Sequence, residues 1–195
     1  QGHKVVVSTI HSFCQDVMRN FPEKFIAYKA SAPIDDVDSL EILKNILTLE
    51  VQKKNIEFLT NDFDPFLYLR DIKSRINTLK QEAISPQEFE IIIKKQAEDY
   101  QEILSEIKPT LKKYETTKDT QKKHIKKLFE LNHLYKIYLE TLKKEEKYDF
   151  SDMINYVVEV FSQDEEVKYF YAEKYQFIML DEFQDTNNAQ NKIID

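Results

Sequence analysis

Two adjacent acids, Asp181 and Glu182, directly follow an apolar run at residues 176–180 that reads Gln-Phe-Ile-Met-Leu. Such a run is typical of a buried strand, and ligands of open α/β sheets bind at the carboxyl ends of the strands. The pair suits hydrolysis of a nucleoside triphosphate, because one carboxylate can hold Mg²⁺ while its neighbour activates the attacking water. The alternative is a helix N-terminus, where acids only favour the helix dipole.

A second group of polar residues follows the β-branched run at residues 4–8. Thr9 and His11 stand where this predicted strand gives way to a helix, and a hydroxyl and an imidazole at that place suit contact with phosphate. The alternative is ordinary capping, in which Thr9 or Ser8 accepts a hydrogen bond from the first turn of the helix.

Glycine is nearly absent, since Gly2 is the single glycine among 195 residues. A phosphate-binding P-loop needs two glycines and a Gly-Lys-Ser/Thr ending, and a dinucleotide-binding loop is also rich in glycine. The sequence therefore excludes both loops, so any nucleotide chemistry must take its phosphate cradle from elsewhere.

Apolar periodicity predicts a mainly α-helical chain with a small α/β part. The α/β part consists of strands at 4–8 and 176–180, which we expect to pair in parallel. One predicted helix ends at Pro22. Others cover the ranges 40–51, 66–79, 89–107, 122–147 and about 164–174, and one more carries Val157 and Phe161.

Caps and breakers set the expected bounds of these helices. Asp38 or Ser39 is the expected cap of the first long helix, and Asp64 before a proline that of the second. Residues 85–88, Ser-Pro-Gln-Glu, predict a capping box. Ser151 or Asp152 is expected to cap the helix that carries Val157. Pro109 is expected to end the helix at 89–107.

The charge distribution is uneven around a net charge of −7. Residues 108–127 contain eight lysines and two acids, so this segment could meet DNA phosphates or could simply be a solvated helix surface. Cys14 is the only cysteine, which excludes an internal disulfide and a cysteine-based zinc site. No apolar run is long enough to span a membrane, and we expect a cytoplasmic protein.

Residues 181–187, Asp-Glu-Phe-Gln-Asp-Thr-Asn, resemble motif II of the UvrD/Rep/PcrA superfamily 1 DNA helicases. The resemblance implies that Asp181 is the Mg²⁺ ligand and that Glu182 activates water. It gives Gln184 and Asp185 a supporting role at the nucleotide. ATP and Mg²⁺ are the cofactors that it implies for the whole protein.

Two further segments resemble the same family, in the same order along the chain. Residues 7–14 are similar to its Ser-Thr-Phe-His-Ser-Phe/Met-Cys motif, which implies that Thr9 and His11 contact single-stranded DNA; Ile10 replaces the usual Phe. Residues 148–152, Tyr-Asp-Phe-Ser-Asp, are similar to the Leu-Asp-Phe-Asp-Asp stretch that precedes motif II. The implied partners are single-stranded DNA and a duplex junction, with no membrane.

The resemblance also implies a domain organisation. Residues 1–22 and 148–195 would belong to motor domain 1A, a truncated RecA-like P-loop NTPase domain, and residues 23–147 would form the helical subdomain 1B. We expect an internal segment of a DNA helicase with roles in repair or recombination, which lacks ATPase activity by itself because it has no P-loop.

Three alternatives compete with this helicase hypothesis. One is the motor part of a helicase–nuclease subunit of the AddA or RecB kind. Another is a helical module that binds DNA or protein without catalysis, which the net negative charge and the missing P-loop favour. The last is a metal-dependent hydrolase built on Asp181, Glu182 and Asp185.

Overall fold

The structure, a computed structural model, describes residues 5–25, 31–105 and 112–194. The helices in these ranges are α1 (Ile10–Asn20), α2 (Asp36–Gln52), α3 (Leu69–Gln81), α4 (Pro86–Ser105), α5 (Lys112–Lys144), α6 (Phe150–Gln163), α7 (Glu165–Lys174) and α8 (Asn188–Ile194). The strands are β1 (Ala32–Pro33) and β2 (Lys147–Tyr148), and a 3-10 turn covers Phe183–Asp185. The predicted mainly helical fold is therefore confirmed. No helix in these ranges is both long and apolar enough to cross a bilayer.

The chain divides into two compact units, and both are discontinuous in sequence. Unit 1 comprises Gln1–Asp35, Asn77–Ala83 and Leu142–Asp195. Unit 2 comprises Asp36–Ile76 and Ile84–Thr141. The short stretch at 77–83 thus belongs to unit 1, although unit 2 surrounds it in sequence.

Helix α6 is the centre of unit 1, where it packs against α1, α7 and α8. Its apolar residues recur at three- and four-residue spacing, which places them on one face of the helix. The buried core of the unit consists of Cys14, Val17, Phe25, Met153, Ile154, Val157, Phe161, Val167, Tyr171 and Ala189. Partly buried aromatic rings extend this core, such as Phe13, whose ring meets that of Tyr171 edge to face at 5.2 Å.

The two short strands of unit 1 form a parallel pair in which Ala32 is opposite Lys147 and Pro33 opposite Tyr148. The N–H of Ala32 donates to the carbonyl of Glu146 at 2.8 Å, and the N–H of Ile34 donates to that of Tyr148 at 2.9 Å. Pro33 between them has no N–H to donate at the opposite edge of β1, so that edge lacks a donor for a further strand. The sheet comes from residues where no strand was predicted.

The predicted strands at 4–8 and 176–180 were wrong. Residue 4 lies outside the described ranges, and residues 5–8 and 176–180 have no strand structure. Their side chains are exposed instead, apart from the half-buried Leu180, and Val7 and Phe177 are each 92% exposed. A strand exists only when a neighbour takes up its backbone hydrogen bonds, and the described part of the chain supplies no such neighbour to either run.

Unit 2 is formed by α2, by α3 as far as Ile76, by α4, and by α5 as far as Thr141. Its largest fully buried side chains are Leu43, Leu47, Ile72, Ile76, Ile93 and Leu134. The loop after α2 is held by Glu130 of α5, whose carboxylate accepts the backbone N–H groups of residues 57–59 at 2.8–3.1 Å. A carboxylate bound by successive backbone N–H groups is a strong, charge-assisted contact.

Two helix starts in unit 2 differ from the predicted ones. Helix α2 begins at Asp36, before the expected caps Asp38 and Ser39. Helix α3 begins at Leu69 because the preceding residues form tight turns, in which Asp64 accepts the N–H of Phe66 at 2.9 Å. The expected cap thus exists, but it closes a turn that precedes the helix.

The capping box before α4 is confirmed. The N–H of Ser85 donates to the Glu88 carboxylate at 2.8 Å, and the N–H of Glu88 donates to the Ser85 hydroxyl at 3.2 Å. The predicted end of this helix at Pro109 lies outside the described residues. Helix α5 begins at Lys112, ten positions before the predicted start at 122, because the lysine-rich segment continues the helix.

Candidate nucleotide and DNA site

The acidic motif at residues 181–187 forms an exposed turn in unit 1. All side chains of residues 181–185 are exposed, and Phe183–Asp185 form one 3-10 turn. Glu182 adopts the left-handed conformation with φ 51°, which costs a residue other than glycine about 1–2 kcal/mol. Backbone strain of this kind is found preferentially at functional sites.

Hydrogen bonds inside the motif orient its carboxylates. The N–H of Glu182 donates to the Asp181 carboxylate at 3.1 Å, and the side-chain amide of Gln184 donates to the Glu182 carboxylate. Within the described ranges, no basic side chain forms an ion pair with Asp181, Glu182 or Asp185. Their negative charges are therefore accessible to a cation from solution.

The residues present fit Mg²⁺ held jointly with a nucleotide. Mg²⁺ takes oxygen ligands and is usually bound by one or two carboxylates together with water and phosphate oxygens. Asp181 and Glu182 offer carboxylate oxygens on an open turn. Among the described residues, no three histidine, cysteine, aspartate or glutamate side chains group as a metal site. The alternative of a metal-dependent hydrolase thus finds no ligand cluster there.

Thr9 and His11 occupy the start of α1. The Thr9 hydroxyl accepts the N–H of Ser12 at 3.1 Å, so Thr9 is the helix cap that the sequence offered as an alternative. The His11 ring is half-buried and meets the ring of Phe150 edge to face at 5.8 Å. Its nitrogens have no hydrogen-bond partner among the residues that the structure describes, so they are available to a ligand.

Helix α6 begins with a reciprocal capping box. The Asp149 carboxylate accepts the N–H of Asp152 at 3.0 Å, and the Asp152 carboxylate accepts the N–H of Asp149 at 3.0 Å. The expected cap Ser151 was wrong, and Asp152 fills the third helical position instead of the cap, because Asp149 provides the cap itself. Lys80 lies beneath both acids with 1% of its area exposed, and its ammonium is 2.6 Å from Asp149 and 2.7 Å from Asp152.

Burial acts differently on the two acids of this cluster. Burial favours a higher pKa for Asp149, but the charge of Lys80 and its hydrogen bonds outweigh it, so the pKa of Asp149 is lowered. Burial raises the pKa of Asp152 to about 6, and the charge of Asp149 adds to this effect. One ammonium cannot fully compensate two buried carboxylates, and Asp152 carries the remaining cost.

A small pocket of unit 1 lies beside His11. Its polar lining comes from His11, Gln81, Ser151, Asn187 and Gln190, and the rest from Lys80, Ile154 and Ala189. The pocket therefore joins the start of α1 and the start of α6 with the end of the acidic motif. No hydrogen bond or ring contact joins Thr9 or His11 to residues 181–185.

The lysine-rich segment belongs to unit 2 where α5 begins. Two of its lysines cover aromatic rings, since the ammonium of Lys126 lies 4.7 Å from the centre of the Phe58 ring and that of Lys127 lies 5.2 Å from that of Tyr68. These lysines still present positive charge at the surface. Phe58 and Tyr68 serve the packing of the unit here.

Sequence reasoning did not find Lys80, Gln81 or Gln190. Asp149 and Ser151 lie in residues 148–152, which resemble a stretch of the helicase family, but this resemblance assigned neither residue a role in a site. No sequence pattern indicated that Lys80 is buried, because a lysine in the last turn of a helix is usually a surface residue. Its role depends on the return of the chain at residue 149, far away in sequence.

Comparison with known proteins gives consistent matches along the whole chain. A family model described as the UvrD/REP helicase N-terminal domain matches residues 1–195. The ATP-dependent DNA helicase PcrA of Bacillus subtilis (strain 168) is 27% identical over 188 residues, which cover 96% of this chain and 20% of that protein. The helicase of the same name from Staphylococcus aureus (strain Mu50) is 26% identical over 194 residues, covering 100% of this chain and 21% of the relative.

The chain spans about one fifth of the length of these relatives. The matches support a DNA helicase, as the resemblance of the three motifs predicted. They lend nothing to a helicase–nuclease subunit or to a helical module without catalysis.

Proposed function

This chain belongs to the UvrD/REP helicase N-terminal domain family, and from that premise we propose that it forms part of an ATP-driven DNA motor. The motor would couple ATP hydrolysis to movement on single-stranded DNA and to unwinding of a duplex. The observation that carries the proposal is the motif at residues 181–187, which presents two carboxylates on an exposed, strained turn, with no ion pair to a described basic side chain.

The proposed roles within the motif follow from its chemistry. Asp181 would hold Mg²⁺, which when bound would supply neutralisation of charge on the phosphates. Glu182 orients and deprotonates the attacking water. Gln184 donates a hydrogen bond to the Glu182 carboxylate and so orients it. Asp185 has a supporting role at the nucleotide.

Thr9 and His11 are the proposed contacts to single-stranded DNA. The exposed Thr9 hydroxyl caps α1, and the imidazole of His11 has open nitrogens at the edge of a pocket. Donors at a helix start are well suited to phosphate oxygens. The lysines at 108–127 would add a second, purely electrostatic contact to DNA phosphates.

We assign the two parts of the family's first motor domain as the sequence suggested. Residues 1–22 and 148–195 belong to motor domain 1A, and residues 23–147 to subdomain 1B. Unit 2, which runs from Asp36 to Thr141 apart from residues 77–83, is the compact helical part of that insertion. The stretch at 77–83 lies within the proposed subdomain 1B in sequence but packs in unit 1.

ATP turnover of the whole protein that carries this chain tests the proposal. We expect turnover that single-stranded DNA stimulates, and its loss by a factor of about 10³ or more in a Glu182→Gln variant, because the water loses its base and its orientation. Glu173→Gln is the matched control, since Glu173 is an exposed glutamate of α7 in the same unit.

The separate 195-residue chain should not turn over ATP, because it has no P-loop. The helicase proposal fails if the whole protein shows no DNA-stimulated turnover. It also fails if Glu182→Gln behaves like Glu173→Gln.

A further inference from the structure

We propose that the pocket beside His11 binds one phosphodiester group of single-stranded DNA through uncharged hydrogen-bond donors. Ser151, Gln81 and Gln190 would then belong to the DNA contact. The inference rests on the proposed function and deepens it, because it extends the DNA contact from the start of α1 to α6 and to the residues that follow the acidic motif.

Three side chains at the pocket can donate hydrogen bonds to a ligand. The hydroxyl of Ser151, the side-chain amide of Gln81 and the imidazole of His11 all line it. None of the three has a hydrogen-bond partner within the described ranges of the chain. Polar side chains that meet at a concave site without partners are available to bind a ligand.

The hydrogen bonds of Asn187 and Gln190 determine what these two residues can offer. The Asn187 side-chain oxygen accepts the N–H of Gln190 at 3.0 Å, and the Gln190 side-chain oxygen accepts the N–H of Asn187 at 3.1 Å. Both amide oxygens are thus occupied, and the groups that remain for a ligand are the two NH₂ groups. The pocket therefore favours an acceptor-rich ligand such as a phosphate.

Charge around the pocket agrees with this ligand. Among the described residues, no aspartate or glutamate lines it, although the chain has 35 acids among its 195 residues. The one charged lining group, Lys80, has its ammonium paired with Asp149 and Asp152. An anion in the pocket would consequently meet neutral donors and no opposing carboxylate in the wall.

The size of the pocket selects a single group. Its volume is about 70 Å³, whereas pockets that enclose a whole small ligand have roughly 300–1,000 Å³. A phosphodiester fits this scale, and a whole nucleotide does not. Because Asn187 is the last residue of the acidic motif, a phosphate held here would touch the segment that also carries Asp181 and Glu182.

Gln190→Glu in the whole protein is the most selective test. A glutamate keeps the oxygen that accepts the Asn187 N–H, so the start of α8 stays intact, but it replaces donors with a negative charge. We expect the Kd for a fluorescein-labelled oligo(dT), followed by anisotropy, to rise about tenfold or more, with an unchanged melting temperature. Gln15→Glu on the exposed surface of α1 adds the same charge away from the pocket and should have little effect.

Ser151→Ala provides a second, milder test. We expect it to weaken oligo(dT) binding several-fold without changing the slope of log Kd against log salt, because a hydroxyl releases no counterion. Ser162→Ala is its matched control in the last turn of α6, where the hydroxyl donates to the carbonyl of Glu159.

Three outcomes separate this inference from the proposed function. If Gln190→Glu and Ser151→Ala bind DNA as their controls do while His11→Ala weakens binding, the DNA contact ends at His11 and the pocket proposal is wrong. If Gln190→Glu raises the KM for ATP and leaves the Kd for DNA unchanged, the pocket takes a phosphate of the nucleotide and the proposal is also wrong. If His11→Ala binds normally and DNA does not stimulate turnover, the proposed function itself fails.

Discussion

Replacing Lys80 by methionine should destabilise the protein far more than removal of an ordinary lysine. Lys80 is 1% exposed, and its ammonium compensates the carboxylates of Asp149 and Asp152 at 2.6 and 2.7 Å. Methionine has a similar length, so it fills the space without restoring the charge. The variant removes the compensating ammonium from two buried acids at the start of the central helix of unit 1.

Breaking a buried ion pair by removal of one partner costs about 3–5 kcal/mol. We expect this loss in the free energy of unfolding at pH 8, where both acids are ionised in the parent protein. Without Lys80 the pKa of both acids rises, so the folded state holds more protons than the unfolded state. Stability of the variant must then increase as the pH falls from 8 to 5, and the deficit against the parent must shrink.

Urea unfolding followed by circular dichroism at pH 8 and pH 5 measures both effects. Lys94→Met is the matched control, because Lys94 pairs with Glu90 on the surface, where the two side chains are 62% and 47% exposed. Such a surface pair contributes at most about 1 kcal/mol. Equal losses in the two variants, or a Lys80→Met deficit that does not change with pH, would refute the role assigned to Lys80.

Three further predictions concern two buried groups, Cys14 and Glu50, and the half-buried Glu130. Burial raises the pKa of Cys14 to about 12, so its thiol should not react with a disulfide reagent at pH 8 until urea unfolds the chain; rapid labelling in native buffer would contradict this. Burial opposes ionisation of Glu50, but hydrogen bonds from Asn55, Lys53 and His133 lower its pKa to about 2; the stability that it adds should be lost as the pH falls from about 4.5 to about 2, and Glu50→Gln should abolish that part of the acid titration of stability. Glu130→Gln leaves one acceptor oxygen for three backbone N–H groups and should cost about 1–2 kcal/mol in urea unfolding, whereas Glu140→Gln on the exposed surface of α5 should cost nothing measurable.

Local signals in the sequence predicted the helices well. Residues 85–88 specify a capping box by themselves, and the structure contains it. Proline after α1 and apolar spacing in α6 and α7 act over one or two helical turns, so nearby residues are enough to determine them. Errors of helix bounds arose where competing local bonds exist, as at Asp64, which closes a turn before α3.

Features that depend on distant partners were not predictable in the same way. The runs at 5–8 and 176–180 have the composition of strands, but composition cannot provide the neighbour that a strand needs. Lys80 becomes buried only because residues 149–152 return to it. The candidate site divides likewise: His11, Ser151 and Asn187 lie in motifs that the sequence singled out, but their meeting with Gln81 and Gln190 at one pocket depends on tertiary structure.

The discontinuity of unit 1 has a consequence for the order of folding during synthesis. Helix α1 packs on α6, which begins about 130 residues after α1 ends, so the core around Cys14 cannot close until residues beyond 150 have left the ribosome. Unit 2 ends at Thr141 and is therefore complete earlier. At about 5–20 residues per second, α1 waits on the order of ten seconds for its partner. During that interval Phe13 and Val17 have no core to enter, so their apolar side chains stay exposed on the nascent chain.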